Sequence, residues 1–171
     1  MNTLLIAEHN NVALADATVK SVTAAAQIGG DLHVLVAGSN CASVGETAAK
    51  LDGVAKVLVA DDALYEKQLA EPMAALVTSM ADGYATIATP ASTNGKNFMP
   101  RIAALLDCSQ ISDITAVVDG QTFERPIYAG NAIQTVRTSE ARKAITIRST
   151  AFAAAGDGGS AAVEAVGTGD H

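Results

Sequence analysis

The sequence predicts a three-layer, doubly wound α/β domain with a mainly parallel sheet, and three observations support this prediction. Apolar runs of strand length alternate with helical patterns through the first hundred residues. These runs are almost continuously apolar, as expected for strands that are covered on both faces. The chain is 49% hydrophobic but only 4% aromatic, so its core must be built from Val, Ile, Leu and Ala. Such small side chains allow helices to pack closely on a sheet.

The first half of the chain contains four strand–helix pairs in order. Strands are predicted at 3–7, 32–37, 56–60 and 84–89, and the first three helices at 14–28, 44–51 and 71–80. The fourth helix carries Phe98, Ile102 and Leu105 at helical spacing. Its Pro100 predicts a start close to Asn97, because only the first turn tolerates a residue without an N–H. Repeated strand–helix–strand units with short connections imply a parallel sheet with right-handed crossovers.

After Asp107 the pattern becomes β-rich without helices, in the segments 111–119, 122–129, 132–138 and 144–148. We expect one of these segments to complete the parallel sheet and the others to form an antiparallel β extension or edge. The predicted domain therefore covers 1–150. The remaining residues, 151–171, are small and lack any periodicity, which predicts a flexible linker and suggests a larger parent protein.

Charge and composition exclude several classes of function. The net charge of −7 argues against binding to a nucleic-acid backbone. The longest apolar runs span about half a dozen residues, whereas a bilayer-spanning helix needs roughly 20, so no membrane insertion is expected. Glu8 and His9 interrupt the first apolar run, which does not resemble a signal peptide. Cys41 and Cys108 have no partner at metal-ligand or Cys-x-x-Cys spacing, which indicates reduced thiols, no metal site and a cytoplasmic protein.

Candidate catalytic and nucleotide-binding motifs are weak. The loop after the first strand contains the candidate acid–base pair Glu8 and His9, but no Gly-x-Gly-x-x-Gly. Gly95-Lys96 is similar to the end of a P-loop, although Asn97 replaces the Ser or Thr that would reach Mg²⁺. The segment 92–97 precedes a helix and offers N–H groups to an anion, but a polar cap with a tight turn is the favoured interpretation. We therefore predict no catalytic residue, and a hydrolase using Glu8 and His9 is the least favoured function.

Other polar residues receive structural interpretations. His33 falls inside a strand and is expected to pack or pair, whereas the adjacent Asp61 and Asp62 are expected in a solvated turn. His171 is the terminal residue. A partner surface is indicated around Arg125 and Tyr128, because arginine and tyrosine are enriched in interfaces. The alternative to a partner surface, that Tyr128 packs in the core and Arg125 forms a surface ion pair, is equally open.

Several collinear blocks resemble the alpha subunit of electron transfer flavoproteins. They are Leu-Ile-Ala-Glu-His at 5–9, Leu-Val-Ala-Gly at 35–38, Ala-Lys-Val-Leu-Val-Ala at 55–60, Gly-Lys-Asn-Phe-Met-Pro-Arg-Ile-Ala-Ala at 95–104, Ile-Ser-Asp-Ile at 111–114 and Arg-Pro-Ile-Tyr-Ala-Gly-Asn-Ala at 125–132. Together they cover the chain from its start to about residue 150. The blocks at 95–104 and 125–132 are the most specific.

This resemblance implies an α/β domain of the adenine-nucleotide-hydrolase-like kind that forms the amino-terminal part of an alpha subunit. It also implies a second domain, outside this sequence, that carries most contacts to FAD. The partner beta subunit of the family has a related fold, binds AMP and helps to enclose the flavin. In the family, electrons pass from acyl-CoA and other dehydrogenases to the flavin, and then to a membrane quinone oxidoreductase.

For this chain the resemblance implies a supporting role in an electron carrier, not an enzyme, with neither FAD nor AMP bound by the fragment itself. The expected role is docking of the beta subunit and support of the FAD domain. The candidate interface residues are Asn97, Arg101, Arg125, Tyr128 and Asn131. We expect a bacterial cytoplasmic protein, or a mitochondrial matrix protein if the source is eukaryotic. The alternative is a free-standing nucleotide-binding protein that resembles universal stress proteins, although their glycine-rich loop after the fourth strand is reduced here to Gly95.

Overall fold

The computed structural model describes residues 2–169, and it confirms the predicted α/β class. Within that range, one parallel sheet has seven strands and one antiparallel sheet has three. With strands numbered along the chain, the large sheet has the spatial order β10 (Ala162–Ala165), β3 (Val54–Asp61), β2 (Leu32–Gly38), β1 (Asn2–Ile6), β4 (Tyr84–Pro90), β9 (Lys143–Ile147) and β5 (Gln110–Ile114). The small sheet has the order β6 (Ala116–Asp119), β7 (Thr122–Ile127) and β8 (Ala132–Arg137).

Helices cover both faces of the large sheet and divide the core into two layers. On one face, α1 (Asp16–Ile28) and α2 (Ala42–Ala48) share a core with Phe123 of the small sheet. On the other face, α3 (Ala70–Met80) and α4 (Thr93–Leu105) bury Met73, Leu76, Phe98 and Ile102. Full burial of such a side chain stabilises the fold by about 1.5–3 kcal/mol. The small sheet thus lies beside α1, on the same face of the large sheet as α1 and α2.

The strand order reverses next to β1, in the middle of the large sheet. Leu5 pairs with Val34 of β2 on one side and with Ala88 of β4 on the other. Ligands of open α/β sheets bind at the carboxyl ends of strands beside such a reversal. The loops that follow β1 and β4 therefore flank the position where a functional site is expected.

Two details of the β-rich half differ from the sequence prediction. Two of its segments join the large sheet, as β5 and β9, where one was expected. The predicted strand 111–119 is broken into β5 and β6, because Asp113 adopts a left-handed φ of 61°. Its backbone N–H donates to the side-chain Oγ1 of Thr146 on β9 (2.8 Å) instead of to a backbone carbonyl of that strand. This break turns the chain out of the large sheet and into the small one.

Helix α4 begins at Thr93, so the prediction of a start near Asn97 is wrong. Ser92 caps the helix, and its Oγ accepts a hydrogen bond from the N–H of Gly95 (3.2 Å). Pro100 lies in the helix interior but on its exposed side. A carbonyl that loses its N–H partner there can bind water, so the proline is tolerated.

The prediction of a flexible linker from residue 151 onwards is wrong for residues 151–169, because backbone hydrogen bonds tie this segment to the domain. Gly159 and Ala161 donate N–H groups to the carbonyls of Lys50 (2.8 Å) and Ala49 (2.9 Å). Strand β10 then pairs in parallel with β3, with Val163 opposite Val57. His171 lies outside the described residues.

Candidate functional site

The most exposed large aromatic side chain stands on the turn between β7 and β8. Ile127 pairs with Ala132 across the hairpin, and the residues between them form the turn. Tyr128 is 83% exposed, so the alternative that it packs in the core is wrong. Its carbonyl accepts hydrogen bonds from the backbone N–H and from Nδ2 of Asn131, both at 3.0 Å. Asn131 therefore fixes the turn that carries the tyrosine.

The backbone of this turn is strained. Tyr128 has φ of 50°, Ala129 has φ of 52° and Gly130 has φ of 88°. A left-handed conformation costs an L-residue other than glycine roughly 1–2 kcal/mol, so the first two positions are unfavourable. Strain of this kind often marks a site whose geometry serves a function. The turn holds an exposed tyrosine in a fixed position at a cost in stability.

Arg125 lies on β7 opposite Gln134, close to the same hairpin. It is half-buried, and its Nε is buried without a hydrogen-bond partner among residues 2–169. The side chain lines a cavity of about 280 Å³ between β5 and the small sheet, together with Gln110 and Glu140. The alternative of a surface ion pair for Arg125 is therefore also wrong within the described residues.

Asn97 and Arg101 lie one helical turn apart on the exposed side of α4. Nη1 of Arg101 is 3.7 Å from Oε1 of Glu71, and both side chains are at least half exposed, so this ion pair contributes little. Helix α4 covers the face of the large sheet opposite to that of the small sheet. The candidate interface residues thus fall into two groups, with Arg125, Tyr128 and Asn131 together and the α4 pair separate.

The crevice at the strand-order reversal has a volume of about 310 Å³. Ser92, Lys96 and Arg148 line it, and Arg148 Nε donates to Oδ2 of Asp113 (3.1 Å). That ion pair offsets part of the positive charge that a phosphate would need. Gly95 is packed so tightly against the carbonyl of Pro90 that a methyl group there would overlap it. This glycine therefore allows close helix–strand contact, and its N–H is already used in the bond to Ser92.

Similarity to known proteins decides the family. The model of the electron transfer flavoprotein domain matches residues 3–170. The chain belongs to the electron transfer flavoprotein family. It is 60% identical to the alpha subunit of Pseudomonas aeruginosa over 167 residues, which is 97% of the chain and 54% of that protein. It is 55% identical to the alpha subunit of Paracoccus denitrificans, with 95% of the chain and 53% of that protein covered. The mitochondrial alpha subunit of Dictyostelium discoideum is 46% identical, with 94% and 48% covered.

The chain spans about half the length of these electron transfer flavoprotein relatives. Its crevice is small for a dinucleotide, and one of its two cationic side chains is already paired. The residues that line this crevice therefore do not fit FAD.

The side chain of His9 holds the loop that follows β1 in place through hydrogen bonds. Its Nδ1 accepts a hydrogen bond from the backbone N–H of Asn11 (3.0 Å), which assigns the ring proton to Nε2. Nε2 then donates to the carbonyl of Ala37 (3.1 Å). Burial lowers the pKa of His9, and the Ala37 carbonyl offsets this in part. Both ring nitrogens are occupied by backbone groups, so the structure gives no support to an acid–base role with Glu8.

Two residues that the sequence analysis missed complete this network. Nε2 of Gln68 donates to the Ala37 carbonyl (3.1 Å), the same carbonyl that accepts from His9. Asn11 has a φ of 69°, its Oδ1 accepts from the N–H of Ser39 (3.1 Å), and its Nδ2 donates to the carbonyl of Glu66 (2.9 Å). The Asn-Asn pair was the available signal for Asn11, since asparagine tolerates left-handed backbone. Gln68 carried no local signal.

The remaining polar candidates have structural partners. Nδ1 of His33 lies 2.8 Å from the hydroxyl of Tyr84, and Asp62 accepts from the N–H of Leu64 (2.8 Å) as a cap. Asp61 accepts from the N–H groups of Asn40 (2.6 Å) and Cys41 (3.2 Å). Burial raises the pKa of the Cys41 thiol, which makes it a weak nucleophile.

Residues 2–169 contain no group of three His, Cys, Asp or Glu side chains that could hold a metal ion. None of their helices combines the length and the apolar character that crossing a membrane requires.

Proposed function

We propose that this chain is the amino-terminal domain of an electron transfer flavoprotein alpha subunit, and that its β7–β8 hairpin docks the beta subunit. The observation that carries the docking proposal is Tyr128, which is 83% exposed on a strained turn. Exposed aromatic residues in a fixed geometry are the usual energetic centres of protein interfaces. Family membership supports the wider role, since the relatives are named as electron transfer flavoprotein subunits.

In this proposal the domain itself carries no electrons. FAD binds in the full-length heterodimer, mainly to the half of the alpha subunit that this chain does not span. The complex accepts electrons from acyl-CoA and other dehydrogenases and passes them to a quinone oxidoreductase. A bacterial cytoplasmic setting is proposed because the two bacterial relatives, at 60% and 55% identity, are more similar than the mitochondrial one, at 46%.

The hairpin surface consists of Arg125, Tyr128 and Asn131. Asn131 acts on the conformation of the turn, through its two hydrogen bonds to the Tyr128 carbonyl. Arg125 offers an unpartnered Nε that a small side-chain movement would bring to a partner acceptor. We propose Asn97 and Arg101 as a second, separate contact on α4, because they lie on the opposite face of the large sheet.

The test is the affinity of the full-length alpha subunit for its beta subunit, measured by surface plasmon resonance. Tyr128→Ala should raise Kd by about 30-fold, since truncation of a central aromatic in an interface costs about 2 kcal/mol or more. Val163→Ala is the matched control, because Val163 is also exposed (46%) but lies on β10, outside both the hairpin and α4. Equal affinities of Tyr128→Ala and the wild-type subunit would reject the hairpin as the docking surface.

A double variant, Asn97→Ala with Arg101→Ala, tests the second contact in the same assay. It should raise Kd by a smaller factor than Tyr128→Ala does. The two losses of binding free energy should add, since the two groups of residues share no partner. Wild-type affinity of the double variant would remove α4 from the interface. Absence of any binding by the wild-type subunit would reject the docking role as a whole.

A further inference from the structure

Three exposed hydrophobic side chains lie on two loops at the carboxyl edge of the large sheet. Val12 is 79% exposed on the loop between β1 and α1, Leu64 is 40% exposed on the short helical turn after β3, and Leu69 is 57% exposed directly before α3. We call these residues the carboxyl-edge patch. Scattered exposed hydrophobic residues need no explanation, but residues gathered on neighbouring loops indicate an interaction site.

Side-chain hydrogen bonds hold the two loops together. Nδ2 of Asn11, next to Val12, donates to the carbonyl of Glu66 (2.9 Å). Gln68, next to Leu69, is buried against His9 and the Ala37 carbonyl. Gly38 leaves the space for this contact, because a methyl group there would come within 2.7 Å of Cε1 of His9. The patch is therefore presented on a fixed surface, which lowers the ordering cost of binding.

The described chain ends beside the same patch. Strand β10 runs parallel to β3, so it also ends at the carboxyl edge. The N–H of Gly169 donates to the hydroxyl of Tyr65 (3.2 Å), one residue from Leu64. Gly169 is buried and packs against the backbone of Leu76 in α3. A polypeptide that continued from this position would start within reach of the patch.

On the basis of the proposed alpha-subunit role, we propose that the carboxyl-edge patch is covered by the second half of the same subunit. The relatives are about twice as long as this chain, so a continuing segment of comparable size exists in them. That segment is joined to the domain next to the patch, and its effective concentration there is high. A modest apolar contact is then sufficient to hold the two halves together. His9, Asn11 and Gln68 act as positioning residues for this contact.

Limited proteolysis of the full-length alpha subunit tests the proposal without using the beta subunit. A non-specific protease at low concentration should release a fragment of about the mass of this chain, 17.3 kDa, when the halves separate. The rate follows the population of the separated form when separation is fast relative to cleavage. Leu69→Asp and Val12→Asp should each raise that rate about tenfold or more, since each places a charge in an apolar contact.

The matched control is Leu105→Asp, because Leu105 has nearly the same exposure as Leu69 (59% against 57%) but lies on α4 away from the patch. It should leave the rate unchanged. Urea denaturation of the 171-residue chain should give nearly equal stabilities for the three variants, which excludes unfolding as the cause. A rate for Leu69→Asp equal to that of Leu105→Asp would overturn the proposal.

Two further measurements identify a different occupant. If Leu69→Asp lowers affinity for the beta subunit and leaves proteolysis unchanged, the patch belongs to that interface and the proposal fails. If it abolishes self-association of the 171-residue chain in sedimentation, a second copy is the occupant and the proposal also fails. Failure of the wild-type subunit to bind the beta subunit would reject the docking role proposed above, yet would leave the proteolysis comparison valid.

Discussion

Replacing Ala129 by glycine should make the domain more stable. Ala129 is exposed and has φ of 52° and ψ of 31°, a left-handed conformation that glycine adopts without strain. Relief of that strain contributes about 1–2 kcal/mol, and the greater freedom of glycine in the unfolded chain subtracts about 0.4–1 kcal/mol. The net effect is an increase of about 0.5–1 kcal/mol in the free energy of unfolding.

Urea denaturation of the 171-residue chain, followed by circular dichroism, measures this change. The midpoint should rise while the dependence of the free energy on urea stays constant. Thermal unfolding should shift upward by about 1–4 °C, as expected for a domain of this size. The control is Gly130→Ala at φ of 88°, where the added methyl group meets no neighbour and only backbone strain is introduced. It should destabilise the domain.

A wild-type midpoint for Ala129→Gly, or a lower one, would refute the conclusion that the turn is strained. It would also show that the turn conformation that carries Tyr128 does not lower the stability of the domain. If the glycine variant is more stable and binds the beta subunit more weakly, the strain serves to fix the tyrosine for docking.

Three further predictions concern the packing of the domain. Gly95→Ala should lower the free energy of unfolding by about 1–3 kcal/mol, because the added methyl group would overlap the Pro90 carbonyl. Gly83→Ala is the control: its methyl group meets open space, so the free energy of unfolding should change by less than about 0.5 kcal/mol. Equal urea midpoints for the two variants would contradict this. Lys143 is 5% exposed and has no ion pair among residues 2–169. Burial lowers its pKa, so the folded state binds the lysine proton less tightly than the unfolded state does. Lys143→Met should therefore raise the free energy of unfolding. The gain should shrink as pH rises towards the ordinary lysine pKa, because the wild-type lysine then loses its proton and no longer buries a charge. A gain that does not change with pH would contradict this explanation. The amide of Val166, which donates to the Val59 carbonyl (2.9 Å), should exchange hydrogen slowly, and exchange at the rate of an unstructured peptide would support the linker prediction instead.

The alternation of strands and helices was predictable because a parallel strand covered on both faces must be apolar at every position. The central strands β1 and β2 meet that condition almost completely in the structure. The start of α4 was not predictable from Pro100 alone, because tolerance of an interior proline depends on which side of the helix faces solvent. Ser92 gave the correct local signal, since serine is a preferred cap.

Strand β10 could not be recognised from composition, because all of its residues are exposed and it lies at the edge of the sheet. Its order depends on hydrogen bonds to β3 and to the residues after α2, which no local pattern records. The five candidate interface residues are exposed or half-buried in the structure, but their division between two faces could be seen only from the topology. The carboxyl-edge patch was missed because each of its members, taken singly, is an ordinary hydrophobic residue beside a loop.

The late position of β10 in the chain has a consequence for biosynthesis. Ala162 pairs with Lys56, and more than one hundred residues separate them. Until the ribosome has released that stretch, the outer edge of β3 remains open and offers unpaired backbone groups to other nascent chains. Pairing across such a separation is also slow relative to local helix formation. A pause in translation after the codon of Asp61 should therefore increase aggregation more than an equally long pause before the codons of β3.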